Sequence, residues 1–360
     1  MRTERAAGAG LGLLGRLPIR LLLQVAIALA VLLFAGVGAY KTIAQGSYQG
    51  TAWRDLLVAG VSLGAVYALI ALGYTMVYGV LRMINFAHGE VFMFGAFSSF
   101  FAARTMQRSG LMDRAPLLAL LVLFVTAIAG SVLIAVLLER IAYRPLRNSP
   151  RLVPLITAIG ASLFLQETAR GLFGNQSHGY PTPAILGGRW IILGVPFLRS
   201  KVVVIVVAML AMVVLQWFVK RTRTGRSMRA VAEDRETASL MGIDVDRVIV
   251  TTFVIGGIMA GVAAVLFALV FQVVDPIMGF APGIKAFTAA VLGGIGSIPG
   301  AALGGLIVGV LETIGPPLFL TGYHVPATNQ LQDVVAFAIL VLVLIFRPGG
   351  ILGSDQPEKV

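Results

Sequence analysis

Apolar residues run in blocks through this sequence instead of alternating with polar ones. The blocks fall at 19–40, 55–80, 85–103, 115–139, 152–173, 200–219, 248–272, 284–297, 300–320 and 331–346. Most hold about twenty residues, which as a helix cross roughly 30 Å of hydrocarbon. The pattern therefore predicts an all-α, polytopic transmembrane helical bundle of about ten spans. The eighth block is short and glycine-rich, so it reads as either a broken helix or a re-entrant segment.

Composition supports lipid as the main solvent. The chain is 58% hydrophobic and 12% charged, where a soluble domain carries about a quarter charged residues. So few charges cannot cover the outside of a water-soluble fold of this size. The formal charge is +12, but the basic residues sit in short loops between apolar blocks and form no single stripe. That speaks against a nucleic-acid partner and for orientation by positive charge.

Charge also tests the span count. With the N-terminus inside, the inward segments hold Arg2, Arg5, Arg16, Arg20, Arg82, Arg140, Arg144, Arg147 and Arg151. They also hold Lys220, Arg221, Arg223, Arg226, Arg229, Arg235, Arg247, Arg347 and Lys359, which makes 18 of the 28 Lys and Arg residues. Both termini are expected to be cytoplasmic, and the loop 174–200, poor in charge, external. The first block follows a basic leader but is too long for the core of a signal peptide and lacks a clear small-residue cleavage site. It reads as a membrane helix, with a cleaved signal peptide as the alternative.

Three regions follow: a leader plus extra helix at 1–54, a transmembrane domain at 55–347, and a cytoplasmic tail at 348–360. The sequence holds no cysteine and three scattered histidines, which removes thiol chemistry and leaves little for a metal site. No cofactor is expected in this chain.

Glycines recur at four-residue spacing: Gly60 and Gly64, Gly257 and Gly261, Gly300 and Gly304, Gly305 and Gly309. Small residues on one helix face let two backbones approach closely in lipid. The region 293–300 also suits backbone that lines a path.

The one long charged insert lies between the sixth and seventh blocks, at 220–247. From Ser227 to Met241 it reads as an amphipathic helix. Met228, Val231, Ala238 and Met241 share one side, with Arg229, Glu233, Asp234 and Glu236 largely elsewhere. Ser227 suits the start, Gly242 the left-handed turn at the end, and Asp244 the cap of the next span. Such a helix is either a lever that a soluble partner grips or an interfacial helix on anionic lipid.

This segment, with Ala230, Ala238 and Gly242, resembles the cytoplasmic coupling loop of ABC importer permeases. The stretches GVSLGAVYALIALGYTMVYGVLRMINFAHGE from Gly60 to Glu90 and TAAVLGGIGSIPGAALGGLIVGVLE from Thr288 to Glu312 resemble the branched-chain amino acid permease family. The resemblance covers most of 55–347. It implies a permease subunit of an ATP-driven importer of leucine, isoleucine and valine, in the bacterial inner membrane. Implied partners are a sister permease, two ATPase subunits that bind ATP and Mg, and a periplasmic substrate-binding protein. Relatives that carry urea or short amides supply the alternative substrates. The coupling residues implied are Arg229, Ala230, Glu233, Asp234, Ala238 and Gly242.

Polar groups inside spans are costly and mark a path or a partner. Asn85, His88 and Glu90 cluster between the second and third blocks, where they either line a path or hold a His88–Glu90 pair. Lys285, Thr288 and Glu312 flank the glycine-rich break at Gly294 and Gly296, where unwound backbone can meet a zwitterion. Gln166, Glu167 and Arg170 read as structural, with a Glu–Arg pair one turn apart.

The sequence contains no G-x-x-x-x-G-K-[ST] phosphate cradle, so ATP hydrolysis is assigned to a partner chain. Two rival classes carry less. A hydrolase built on Ser297 and His324 puts the two on opposite sides of the bundle and lacks a group to orient the base. An ATPase-independent transporter explains the spans but leaves the charged insert without a role beyond the interface.

Overall fold

The computed structural model describes residues 19–353 apart from 148, 151, 193–194 and 348. Arg2, Arg5, Arg16, Arg151 and Lys359, with most of the basic leader and the end of the tail, lie outside the described residues.

The helices follow the apolar blocks. They are α1 (Ile19–Ala44), α2 (Gly50–Leu81), α3 (His88–Arg108), the single turn α4 (Leu111–Arg114), α5 (Pro116–Leu137) and α6 (Leu152–Phe173). Then come α7 (Arg199–Arg221), α8 (Arg223–Glu233), α9 (Arg235–Leu240), α10 (Val245–Phe271), α11 (Phe280–Gly293), α12 (Ile298–Leu320) and α13 (Gln332–Phe346). Among the described residues, seven helices are long and apolar enough to cross a membrane, and α11 and α13 are shorter apolar helices. With α3 they make the ten-helix bundle of a multi-pass membrane protein.

Long α2 and α10 form the centre, with 72% of each apolar stretch buried inside the protein, whereas α1 has 6% and faces outward. Glycine sets the close approaches. Gly60 and Gly64 of α2 stack on Gly309 and Gly305 of α12, so that a Cβ on Gly309 would meet the Gly64 backbone and one on Gly305 the Ala68 backbone. Gly257 and Gly261 of α10 lie against α5 at Val132 and Ile128, and Gly300 and Gly304 of α12 against α11. All four spaced pairs are helix contacts of the kind that replaces hydrophobic drive in lipid.

At one end, α5 opens into a π turn (Leu138–Tyr143) and a 3-10 turn (Arg144–Leu146). Pro145 has no N–H to continue the α ladder there. Two short antiparallel ribbons lie at the other end, β1 (His178–Gly179) with β4 (Val273–Val274), and β2 (Arg189–Ile192) with β3 (Val195–Leu198). The end that carries α8 and α9 also holds the start of α1 and the end of α13, where Gln24 Nε2 donates to the Ile345 carbonyl at 2.9 Å.

The charged insert departs from expectation. The single helix from Ser227 to Met241 is two helices, broken at Asp234. Thr222 caps α8 by accepting from Gly225 N, and Ser227 lies inside α8. Asp234 caps α9 by accepting from the amides of Glu236 and Thr237, because a short side chain with an acceptor ends one helix as readily as it starts the next. Met228, Val231 and Ala238 are buried as expected, but Met241 is exposed. Gly242 takes φ +81° and Asp244 caps α10 through Arg247 N.

Candidate functional site

Two helices begin inside the bundle instead of at its ends. After α2 stops at Leu81, residues 82–87 turn back, and His88 starts α3 against Gly73. Gly73 lies eight residues before Leu81, so α3 starts about 12 Å inside the end of α2 at 1.5 Å per residue. Gly279, just before α11, meets the Gly89 backbone. Helix α11 has 14 residues, about 21 Å, too short to cross alone. Before it the chain runs through the two-residue strand β4 and a turn, so the eighth block is a short helix that begins inside the bundle.

Between α2, α3, α6, α11 and α13 lies a cavity of about 390 Å³, lined by Tyr74, Phe86, Glu90, Ile159, Ser162, Leu163, Gln166, Gly279, Phe280, Gly283, Ile284, Phe287 and Leu340. Its wall is apolar except at one pole. There Glu90, 1% exposed, accepts at Oε1 from Gln166 Nε2 at 2.8 Å and from the Ser162 hydroxyl at 3.2 Å. Its other oxygen, Oε2, is buried without a hydrogen-bond partner. Ser162 and Gln166 are one turn apart on α6, so they face the same side.

A second constellation ties the half-helix to its neighbours. Lys285 of α11 reaches Glu312 of α12 at 2.7 Å and Asp333 of α13 at 2.6 Å. Tyr67 of α2 donates to the same Glu312 oxygen at 3.2 Å.

The α8–α9 segment docks on the end of α2 by backbone contacts. Arg82 donates to the Ala232 carbonyl at 3.0 Å, and Arg235 to the Val80 carbonyl at 2.9 Å. Arg82, Arg147 and Arg235 line a second cavity of about 350 Å³. Burial, and then Arg147 and Arg82 nearby, push the Arg235 pKa down. Buried Glu139 pairs with Arg147, which also bonds Asp246 at the start of α10. Beyond these contacts Leu240 and Met241 stand out, 83% and 79% exposed.

Residues 56–344 match the family described as branched-chain amino acid transport system / permease component. The chain belongs to this family. The high-affinity branched-chain amino acid transport system permease protein BraD of Pseudomonas aeruginosa is 47% identical over 309 residues, covering 84% of this chain and 97% of BraD. The corresponding permease protein LivH of Escherichia coli is also 47% identical, over 84% of this chain and 96% of its own length. A solved structure, PsaBC from Streptococcus pneumoniae in complex with Fab, aligns over 86% of this chain and 96% of its own with 15% identity and a TM-score of 0.43, too low to argue from. The family match begins after α1.

Within the permease, the residues singled out by sequence separate. Glu90 lines the large cavity; Asn85, His88, Thr288, Gly294, Gly296 and Glu312 do not. Asn85 accepts from the Tyr143 hydroxyl at 2.6 Å, holding the 82–87 turn to the π turn of α5. His88 forms no pair with Glu90; its ring stands edge-on to Tyr74, 4.9 Å between centroids. Thr288 donates to the Ile284 carbonyl in its own helix.

Gly294 and Gly296 take φ +102° and +97° in the turn after α11, and Gly294 packs under Gly350 and Gly353. The last carbonyls of α11, just before this turn, are occupied. Gly294 N bonds to Ala290 O and Val291 O, Ile351 N to Leu292 O, and Leu352 N to Gly293 O. The C-terminal segment thus pairs with the end of α11 beside this turn.

Of the α8–α9 residues, Ala238 is buried, Arg229 donates to the Lys220 carbonyl at 3.4 Å, and Glu233, Asp234 and Gly242 mark the two helix ends. Ala230 packs partly buried against the core. The Glu167–Arg170 pair forms at 2.5 Å, but Gln166 turns inward to Glu90. Tyr74, Ser162, Gln166, Gly279 and Phe287 are the cavity residues that sequence reasoning missed as a group. An amide and a hydroxyl at i and i+4 inside one apolar span were the available signal.

Proposed function

We propose that this chain is the membrane-spanning subunit of an ATP-driven importer of branched-chain amino acids. The observation that carries the reading is near-full-length likeness: 47% identity over 97% of a relative named as a high-affinity branched-chain amino acid permease. In this reading a sister permease pairs with the chain, and ATPase subunits bind ATP and Mg and grip the α8–α9 segment. A periplasmic binding protein delivers the substrate at the opposite end, and α8 and α9 face the cytoplasm with both termini, in the bacterial inner membrane.

The geometry supports a docking surface and a substrate cavity. Leu240 and Met241 are apolar, exposed and joined to α2 through the Arg82 and Arg235 contacts, as a surface for a protein partner requires. Arg229, Ala230, Glu233, Asp234, Ala238 and Gly242 set the shape of that segment. An apolar cavity with one polar pole suits a small molecule with an aliphatic body. The chain itself then performs no hydrolysis and needs no cofactor.

The test is ATP-dependent uptake of labelled leucine and urea by vesicles holding the chain with its partners. Leucine uptake that needs ATP confirms the reading. Urea uptake alone replaces the substrate, and flux without ATP overturns the coupling.

A further inference from the structure

We propose that Glu90 is the ammonium-recognition group of the 390 Å³ cavity, which takes a primary ammonium carried on a short apolar chain. This deepens the permease reading and rests on it for the identity of the natural substrate.

Glu90 sits in the first turn of α3, where the amide end of the helix favours negative charge. Two donors from α6 hold Oε1 and so fix the carboxylate plane, while Oε2 has none. A buried acceptor left without a donor is costly, and more so when charged. Among the described residues, Glu90 has no ion pair with Lys, Arg or His.

Oε2 is itself buried, and the residue packed over it is a glycine. A Cβ on Gly279 would lie 2.7 Å from that oxygen, so any larger residue would cover it. The remaining wall, chiefly Tyr74, Phe86, Ile284 and Phe287, is apolar. A carboxylate at the polar pole of an apolar chamber matches a ligand with a cationic head and an aliphatic body. Urea carries no charge to meet it, and a carboxylic acid without an amine would be repelled.

The chain contains no cysteine, so Ile159→Cys on the cavity wall gives a clean reporter. In vesicles holding the complex, the labelling rate of this cysteine by a membrane-permeant maleimide is measured with 3-methylbutylamine and with 4-methylpentanoate. The amine has the ammonium and the branched body; the acid has the same body without the ammonium. The amine is expected to slow labelling by about tenfold or more, as a charge-assisted contact in a desolvated site allows. The acid is expected to have no effect, and Glu90→Gln to abolish that of the amine.

Equal protection by the acid, protection by neither, or protection by the amine that survives Glu90→Gln overturns the proposal. The first comparison needs no change at Glu90, so a folding defect in that variant does not decide it. ATP-driven leucine uptake in the same vesicles separates the two readings. Uptake without amine protection refutes the Glu90 site alone, and amine protection without leucine uptake refutes the leucine reading alone.

Discussion

Lys285→Met is the perturbation whose cost the structure states most fully. Lys285 and Glu312 have side chains 9% and 3% exposed, and they meet at 2.7 Å. Removing the ammonium leaves Glu312 with only the Tyr67 hydroxyl, in a position water scarcely reaches. Removing one partner of a buried ion pair costs about 3–5 kcal/mol. Asp333 also bonds Lys285, but its side chain is 61% exposed and water replaces the lost contact; Asp333→Asn should cost at most about 1 kcal/mol.

Glu312→Gln added to Lys285→Met removes the stranded charge, so the double variant should recover part of the loss, with a coupling of about 0.5–3 kcal/mol. Heat unfolding in detergent at one scan rate reads the order, since apparent midpoints of large membrane proteins depend on rate. The expected ranking, from least to most stable, is Lys285→Met, the double variant, Asp333→Asn, wild type. If Lys285→Met unfolds together with Asp333→Asn, or the double variant loses the sum of its single changes, the pair is not the brace that binds α11 to α12.

Glycine substitutions should split by what a Cβ would meet. Gly309→Ala drives a methyl into the Gly64 backbone and should cost about 1–3 kcal/mol. Gly160→Ala meets nothing within 4 Å and should be neutral or stabilising by up to about 1 kcal/mol; parallel melting curves check both. Leu240→Asp with Met241→Asp should leave the melting curve unchanged and remove the ATPase subunit from the co-purified complex. Retention of the subunit would show that these exposed side chains are not its docking surface.

The bundle was legible because lipid imposes one simple demand, a long apolar run for every crossing. The glycine pairs were legible for a similar reason: four-residue spacing means one helix face whatever lies opposite. Gly242 and Asp244 were legible because positive φ and helix capping are local. The break at Asp234 was misread because an acidic residue fits the polar face of a continuous helix as well as it fits a cap. Thr222, the true cap of α8, stood outside the span considered.

The cavity was the least legible part. Glu90 and Gln166 are 76 residues apart, and no local pattern says that α6 will lay its Ser162–Gln166 face on the start of α3. The Lys285–Glu312 pair was half visible, as two charges flanking a glycine-rich break. Asp333, the third member, sits at the start of α13, 48 residues beyond Lys285, and no local pattern links the two.

The central claim is ATP-driven import of branched-chain amino acids through this chain. Its most direct test is the initial rate of labelled leucine uptake into vesicles holding the full complex and binding protein, with and without ATP inside the compartment that α8 and α9 face. Uptake should require ATP and fall at least about tenfold when Leu240 and Met241 are both changed to Asp, the loss expected when an apolar docking core is removed. Equal leucine flux with and without ATP, or uptake of urea and not leucine, would contradict it.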